Sequence, residues 1–167
     1  MIDKLIDKNN RYLNQNSLKE KLAKLAKGQT PYALIITCSD SRVVPEAIFQ
    51  SDLGELFVIR TAGNVINEGE LASVEYGIEH LHIPLVVVLG HTHCGAIHAS
   101  IHKENGKYLR PIISRIQNNI IDITDEVEAS KTNAIKEAYY LKEKFPNYKG
   151  TIASMLYDIE TGKVSIL

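Results

Sequence analysis

The chain has 167 residues, of which 44% are hydrophobic and 23% charged, and its formal net charge is −1. This length suits one domain with a substantial core, and the near-neutral charge argues against a nucleic-acid-binding footprint. No apolar run approaches the roughly 18 residues needed to span a bilayer, and the N-terminus lacks the apolar stretch of a signal peptide. We therefore expect a cytoplasmic protein that binds neither nucleic acid nor membrane.

The first 28 residues show apolar positions at helical spacing in two pieces, ended by Gly28. These positions are Ile2, Leu5, Ile6, Leu18, Leu22 and Leu25. Because the segment has so few apolar anchors, we expect residues 1–28 to form a helical arm that packs on a partner subunit. With this arm included, residues 1–167 are predicted to form a single domain.

Three short apolar runs follow, "YALIIT" (32–37), "ELFVIR" (55–60) and "PLVVVLG" (84–90). The third is a continuous aliphatic run, which is typical of a strand buried on both faces. Apolar residues at helical spacing, Leu71 and Val74 among them, lie between the second and third runs. A strand, a helix and a strand in succession indicate a parallel crossover unit.

The remainder of the chain completes an α/β fold. Residues 96–145 are predicted to be mainly helical, with breaks near Gly106 and Pro111, and the final "TIASMLYDIETGKVSIL" alternates around "ETGK". We expect a mostly parallel sheet of about four strands plus a C-terminal antiparallel strand or hairpin, flanked by helices, with the helical arm before it. In such sheets, ligands bind beyond the carboxyl ends of the strands.

Two of the predicted strands end in reactive side chains. "CSDSR" (38–42) follows the first strand and "HTHCG" (91–95) follows the third, and together they hold both cysteines of the chain. Thiolate and imidazole are the ligands that tetrahedral zinc favours, and three protein ligands with one open position is the catalytic arrangement. Cys38, His91 and Cys94 supply that set, whereas His93 is adjacent to Cys94 and would chelate jointly with it only under strain.

Other interpretations of these residues remain open. The cysteines could form a redox pair, or the chain could hold zinc without catalysis. A single buried cysteine is more often a small hydrophobe than a ligand. His93, His98 and His102 are conceivable proton relays, because imidazole titrates near ~6.5, although surface or packing roles explain each of them as well.

The two motifs together resemble the β-class carbonic anhydrases. The resemblance covers nearly the whole chain, through segments such as "GQTPYALIITCSDSRVVPE", "ELFVIRTAGNVI" and "ASVEYGIEHLHIPLVVVLGHTHCGA". It implies reversible hydration of carbon dioxide to bicarbonate and a proton, with one Zn²⁺ per subunit and attack by zinc-bound hydroxide. It also implies a homodimer or a dimer of dimers, with substrate pockets near the subunit interface.

The resemblance assigns roles to particular residues. Cys38, His91 and Cys94 match the zinc ligands. Asp40 and Arg42 match a carboxylate–guanidinium dyad that orients the hydroxide and gates the fourth zinc position. Four further residues match positions that line the substrate pocket, namely Gln29, Phe57, Tyr76 and Gly95.

The sequence departs from another branch of this family. Arg60 and Tyr157 match members of a non-catalytic bicarbonate site in that branch, but its tryptophan is replaced here by Ile35, and we do not expect that site to form. Some relatives hydrolyse carbonyl sulfide or carbon disulfide instead. Their motifs diverge from "CSDSR" and "RTAGN", so we expect carbon dioxide hydration.

Overall fold

The computed structural model describes residues 1–15, 18–104 and 106–167. The described residues form two compact units, Met1–Thr30 and Pro31–Leu167. Among the described residues, no helix combines the length and apolar character required to cross a bilayer.

The first unit contains two helices, α1 (Ile2–Leu13) and α2 (Leu18–Leu25), as the apolar spacing predicts. The apolar side chains of α1 remain largely exposed, with Ile2 at 76%, Leu5 at 69% and Ile6 at 56%. An exposed apolar stripe of this kind suits an arm that packs on another chain. That packing, and the assignment of residues 1–167 to one domain, remain predictions.

The second unit is built on a mixed sheet of five strands in the order β2-β1-β3-β4-β5. The first four strands are parallel, and β5 pairs antiparallel with β4. This confirms the predicted mostly parallel sheet with an antiparallel C-terminal strand. The strands are β1 (Ala33–Thr37), β2 (Leu56–Arg60), β3 (Leu85–His91), β4 (Thr151–Tyr157) and β5 (Val164–Ile166).

Helices cover the sheet between these strands. They are α3 (Pro45–Ile48), α4 (Glu68–Glu75) with a π-helical turn at Tyr76–His80, α5 (Gly95–Ile101), α6 (Arg110–Asn119) and α7 (Glu126–Lys144). Pro111 lies in the first turn of α6, where its missing N–H costs no hydrogen bond. The predicted break near Pro111 is therefore the start of a helix.

The central strands are buried on both faces because each face packs against its own apolar cluster. Leu34 and Ile36 of β1 point into one cluster together with residues of α7, whereas Ala33 and Ile35 point into another on the opposite face. This alternation follows the period of two of a β-strand. A third cluster contains Cys38 and residues of α5 and α6.

A buried polar network joins α6 to α7. The carboxylate of Glu137 is fully buried and accepts hydrogen bonds from Arg115 Nε at 2.7 Å, Arg115 Nη2 at 3.0 Å and Asn119 Nδ2 at 2.8 Å. Asn119 Nδ2 also donates to Asn133 Oδ1 at 2.9 Å. Asn133 Nδ2 donates in turn to the carbonyl oxygen of Gly63 at 2.9 Å, so the network reaches the loop after β2.

Removing the Glu137 carboxylate should destabilise the fold strongly. Glu137→Ala leaves the Arg115 guanidinium without its partner in a half-buried position, and breaking a buried pair in this way costs about 3–5 kcal/mol. We expect a loss of about 3 kcal/mol in the free energy of unfolding, measured by urea denaturation, because Arg115 keeps some access to water. Glu143→Ala removes an exposed glutamate from the same helix and should change that free energy by less than about 0.5 kcal/mol. Equal stability of the two variants would contradict this account of the network.

Candidate active site

The site lies where β1 and β3 end side by side. These strands are parallel neighbours with Thr37 opposite Leu89, so the residues that follow them emerge at the same edge of the sheet. Cys38 directly follows β1, His91 is the last residue of β3, and Cys94 caps the N-terminus of α5. Their ligand-type atoms all lie within 4.8 Å of one another, and the Sγ atoms of Cys38 and Cys94 are 3.9 Å apart.

The three side chains are buried, with exposed fractions of 5% for Cys38, 1% for His91 and 2% for Cys94. His91 Nδ1 lies 2.8 Å from the carbonyl oxygen of Thr92. Because a carbonyl oxygen can only accept, Nδ1 carries the ring proton and Nε2 presents its lone pair. Nε2 is buried and has no hydrogen-bond partner among the described residues.

The two thiols titrate as a pair. The hydrogen bond from Cys94, helped by the Gly63 N–H at 3.3 Å from the sulfur, lowers the pKa of Cys38 to about 4. The same Cys38 thiolate, together with burial, raises the pKa of Cys94. The thiolate is the form of cysteine that binds metal, and the lowered pKa of Cys38 favours that form.

The donor set fits a zinc ion. Two sulfurs and an imidazole are ligand types that Zn²⁺ prefers, and the imidazole is oriented by a hydrogen bond from its other nitrogen, as is usual for a metal-bound histidine. A buried ring nitrogen without a partner is costly, and a metal ion would satisfy it. Cys38, His91 and Cys94 are therefore the residues that would hold the ion.

Asp40 and Arg42 form the predicted pair. Arg42 donates from Nε to Asp40 Oδ1 at 3.0 Å and from Nη2 to Oδ2 at 2.7 Å, and its backbone N–H donates to Oδ1 at 2.9 Å. These hydrogen bonds lower the pKa of Asp40 to about 2. Arg42 Nη2 also donates to the carbonyl oxygen of His93 at 3.0 Å, which ties the loop after β1 to the loop after β3.

Arg60 supports the same loop from the end of β2. It donates from Nε to the carbonyl oxygen of Cys38 at 3.1 Å, and from Nη2 to those of Asp40 at 2.6 Å and Val43 at 2.7 Å. This role was not predicted from the sequence, in which Arg60 was related only to a bicarbonate site. The role could have been predicted from the position of Arg60 in the sequence. Arg60 ends a predicted strand, and that strand was expected to lie in the same sheet as the strand that precedes Cys38.

The contribution of Gly63 was also missed. Its φ of +67° lies in the left-handed region that favours glycine, and a Cβ there would lie 2.7 Å from Ile116 Cδ1. Glycine allows the backbone to turn so that its N–H reaches the Cys38 sulfur while its carbonyl accepts from Asn133. The signal for this position was the glycine in "RTAGN", also at the end of a strand.

The residues predicted to line a substrate pocket lie in several places. Phe57 and Tyr76 lie together, with ring centroids 6.3 Å apart, and Phe57 packs against the cluster that contains Leu34 rather than the one that contains Cys38. Gly95 begins α5 directly after Cys94. Gln29 belongs to the first unit and is exposed.

The remaining histidine of this loop, His93, points to another partner. Its Nε2 lies 3.1 Å from Glu160 Oε1, and its side chain is 52% exposed. His93 is not part of the group formed by Cys38, His91 and Cys94.

Comparison with known proteins relates this chain to one family. Residues 33–164 match the family model described as carbonic anhydrase. Carbonic anhydrase 2 from Mycobacterium tuberculosis is 45% identical over 104 residues, which cover 59% of this chain and 50% of that protein. A carbonic anhydrase from Helicobacter pylori is 33% identical over 178 residues, covering 87% of this chain and 80% of that protein. The chain thus spans about half the length of the mycobacterial relative.

Solved structures agree with this relationship. The β-carbonic anhydrase CcaA superimposes with a TM-score of 0.84 and 29% identity, covering 99% of this chain and 94% of that one. A β-carbonic anhydrase from Coccomyxa gives a TM-score of 0.86 at 23% identity, covering 100% of this chain and 86% of that one, and so supports the fold. The family match over residues 33–164 and the shared fold show that this chain belongs to the β-class carbonic anhydrase family.

Proposed function

We propose that the protein catalyses the reversible hydration of carbon dioxide to bicarbonate and a proton, with one Zn²⁺ per subunit held by Cys38, His91 and Cys94. The observation that carries this proposal is the buried Nε2 of His91, which lies beside two sulfurs and has no hydrogen-bond partner in the part of the chain that the structure describes. When bound there, zinc supplies a water acidified toward a pKa of about 7, which is a nucleophile near neutral pH.

We propose that Asp40 orients this nucleophile by accepting its proton in a hydrogen bond. The Asp40 side chain is ionised throughout the neutral range, since Arg42 lowers its pKa to about 2. A carboxylate can also act as a zinc ligand, and a fourth protein ligand would exclude water. With both oxygens engaged by Arg42, Asp40 is not free to take that position, so the Asp40–Arg42 pair acts as a gate.

We propose that Gln29, Phe57, Tyr76 and Gly95 line the substrate pocket. Phe57 and Tyr76 offer an apolar surface for carbon dioxide, and Tyr76 is 46% exposed. The Gln29 amide could donate to a substrate oxygen. Because Phe57 packs in a different cluster from Cys38, we propose that a partner subunit completes this pocket. A homodimer or dimer of dimers in the cytoplasm would provide them, with the exposed apolar face of α1 available for packing.

The assignment of the ligands predicts loss of both metal and activity when one is removed. Cys94→Ser and His91→Ala should each reduce the zinc retained after dialysis from one equivalent per chain to less than about 0.3, because each leaves only two protein ligands where a catalytic site needs three. Zinc would be measured by atomic emission, and carbon dioxide hydration by stopped flow. His82→Asn, which removes an exposed histidine elsewhere, should retain both.

Two outcomes would contradict this proposal. Full zinc occupancy with full hydration activity in Cys94→Ser would refute the ligand assignment. Absence of zinc from the wild-type protein, with a reversible Cys38–Cys94 disulfide, would favour a redox pair. The two sulfurs, 3.9 Å apart, are close enough for that alternative to be tested.

The gate predicts a separate effect of Arg42. Arg42→Ala should retain zinc but lower the hydration rate by about 100-fold, the scale of losing an oriented proton acceptor, because the released Asp40 can bind the ion. Arg42→Lys keeps the charge but not the two parallel hydrogen bonds and should give an intermediate rate. The exposed Arg110→Ala serves as a control with wild-type activity. A wild-type rate in Arg42→Ala, with water still on the zinc, would rule out the gate.

A further inference from the structure

A second group of metal-ligating side chains lies outside the candidate active site. His98, His102 and Glu126 each offer a ligand-type atom, and these atoms all lie within 4.8 Å of one another. We infer that these three residues form a second, surface site for Zn²⁺ or a related divalent transition metal. This inference rests on its own residues and does not depend on the proposed function.

The two histidines are arranged on one face of α5. His98 lies in α5 and His102 caps its C-terminus, so they are four residues apart, the spacing that brings side chains together on a helix. Their ring centroids are 4.3 Å apart. A histidine pair at this spacing is the arrangement by which a helix binds a single zinc ion.

Glu126 supplies the third ligand from another helix. It is the first residue of α7, and its Oε1 lies 2.7 Å from His98 Nδ1. The backbone there is held in place because the Asp125 side chain accepts from the Glu128 N–H at 2.8 Å and Ser130 Oγ donates to the Glu126 carbonyl at 2.7 Å. The carboxylate is thus presented to the histidines by a capped helix.

The chemistry of this group selects the kind of ion. Imidazole ligands suit zinc, copper and nickel, whereas calcium and magnesium take oxygen ligands. Two imidazoles and a carboxylate with a water in the fourth position form a known zinc set. The side chains of His98 and Glu126 are 52% and 37% exposed, so an ion and its water can enter. Tetrahedral zinc needs ligand atoms about 3.3 Å apart, which small side-chain rotations would provide.

The two sites should differ in affinity. The candidate active site is buried and contains two sulfurs, whereas the second site is exposed and has none, so we expect the second ion to be lost on dialysis and regained with added Zn²⁺. Binding there would join α7 to α5, the helix capped by Cys94. The site would therefore stabilise the helix that carries one proposed ligand of the first ion.

Equilibrium dialysis of the purified protein against Zn²⁺ tests the inference. The wild-type protein should bind one saturable equivalent beyond the zinc retained after purification. His102→Ala and Glu126→Gln should each weaken this added equivalent at least about tenfold, since even changes beside a metal ligand cost 10–100-fold in affinity. The control His82→Asn removes an exposed histidine at a positive φ, a conformation that asparagine tolerates, and should bind the added equivalent as the wild type does.

The outcomes separate a metal site from a simple His98–Glu126 ion pair. Failure of the wild type to bind an added equivalent would overturn the inference, as would equal binding by all four proteins or loss in the control. Circular dichroism of each variant checks that it is folded. We expect substitution of His102, an exposed residue at a helix end, to leave the fold intact. The zinc retained by the protein is measured before dialysis. A protein that holds no zinc at the candidate active site is thereby distinguished from one that fails to bind the added equivalent at the second site.

Discussion

The parallel pairing of β1 with both β2 and β3 is the constraint on which the rest of the structure depends. It brings the carboxyl ends of three strands to one edge, with Thr37 beside Arg60 on one side and Leu89 on the other. Cys38, Arg60 and His91 are consequently neighbours although they are far apart in sequence. β1 and β3 are buried on both faces, and such rigid support is what the proposed metal site requires.

Hydrogen bonds from outside the ligand set then position the loops that leave this edge. Arg60 donates to three carbonyl oxygens of the loop after β1, and Arg42 connects that loop to His93. Glu137 is connected through Asn119 to Asn133, and Asn133 donates to the carbonyl oxygen of Gly63, whose N–H contacts the Cys38 sulfur. The buried carboxylate of Glu137 thus serves the site as well as the packing of α6 on α7.

The features that the sequence made predictable are those that depend on short-range patterns. Three apolar runs and an intervening helical period were enough to predict the parallel sheet, and two reactive motifs at strand ends were enough to predict that Cys38, His91 and Cys94 lie together. The roles of Arg60 and Gly63 could not be derived in the same way, because they depend on strand order and on a backbone turn that no local pattern specifies. The buried Glu137 was missed for a similar reason, since a charged residue within an amphipathic helix is usually exposed.

The central claim, a zinc ion held by two sulfurs and one imidazole with its fourth position open, is tested most directly by X-ray absorption at the zinc edge. The measurement requires protein that carries one equivalent of the metal. Our account predicts two sulfur neighbours at about 2.3 Å and two lighter neighbours at about 2.0–2.2 Å, one from His91 and one from water. A shell of nitrogen and oxygen alone, or one with fewer than two sulfurs, would contradict it.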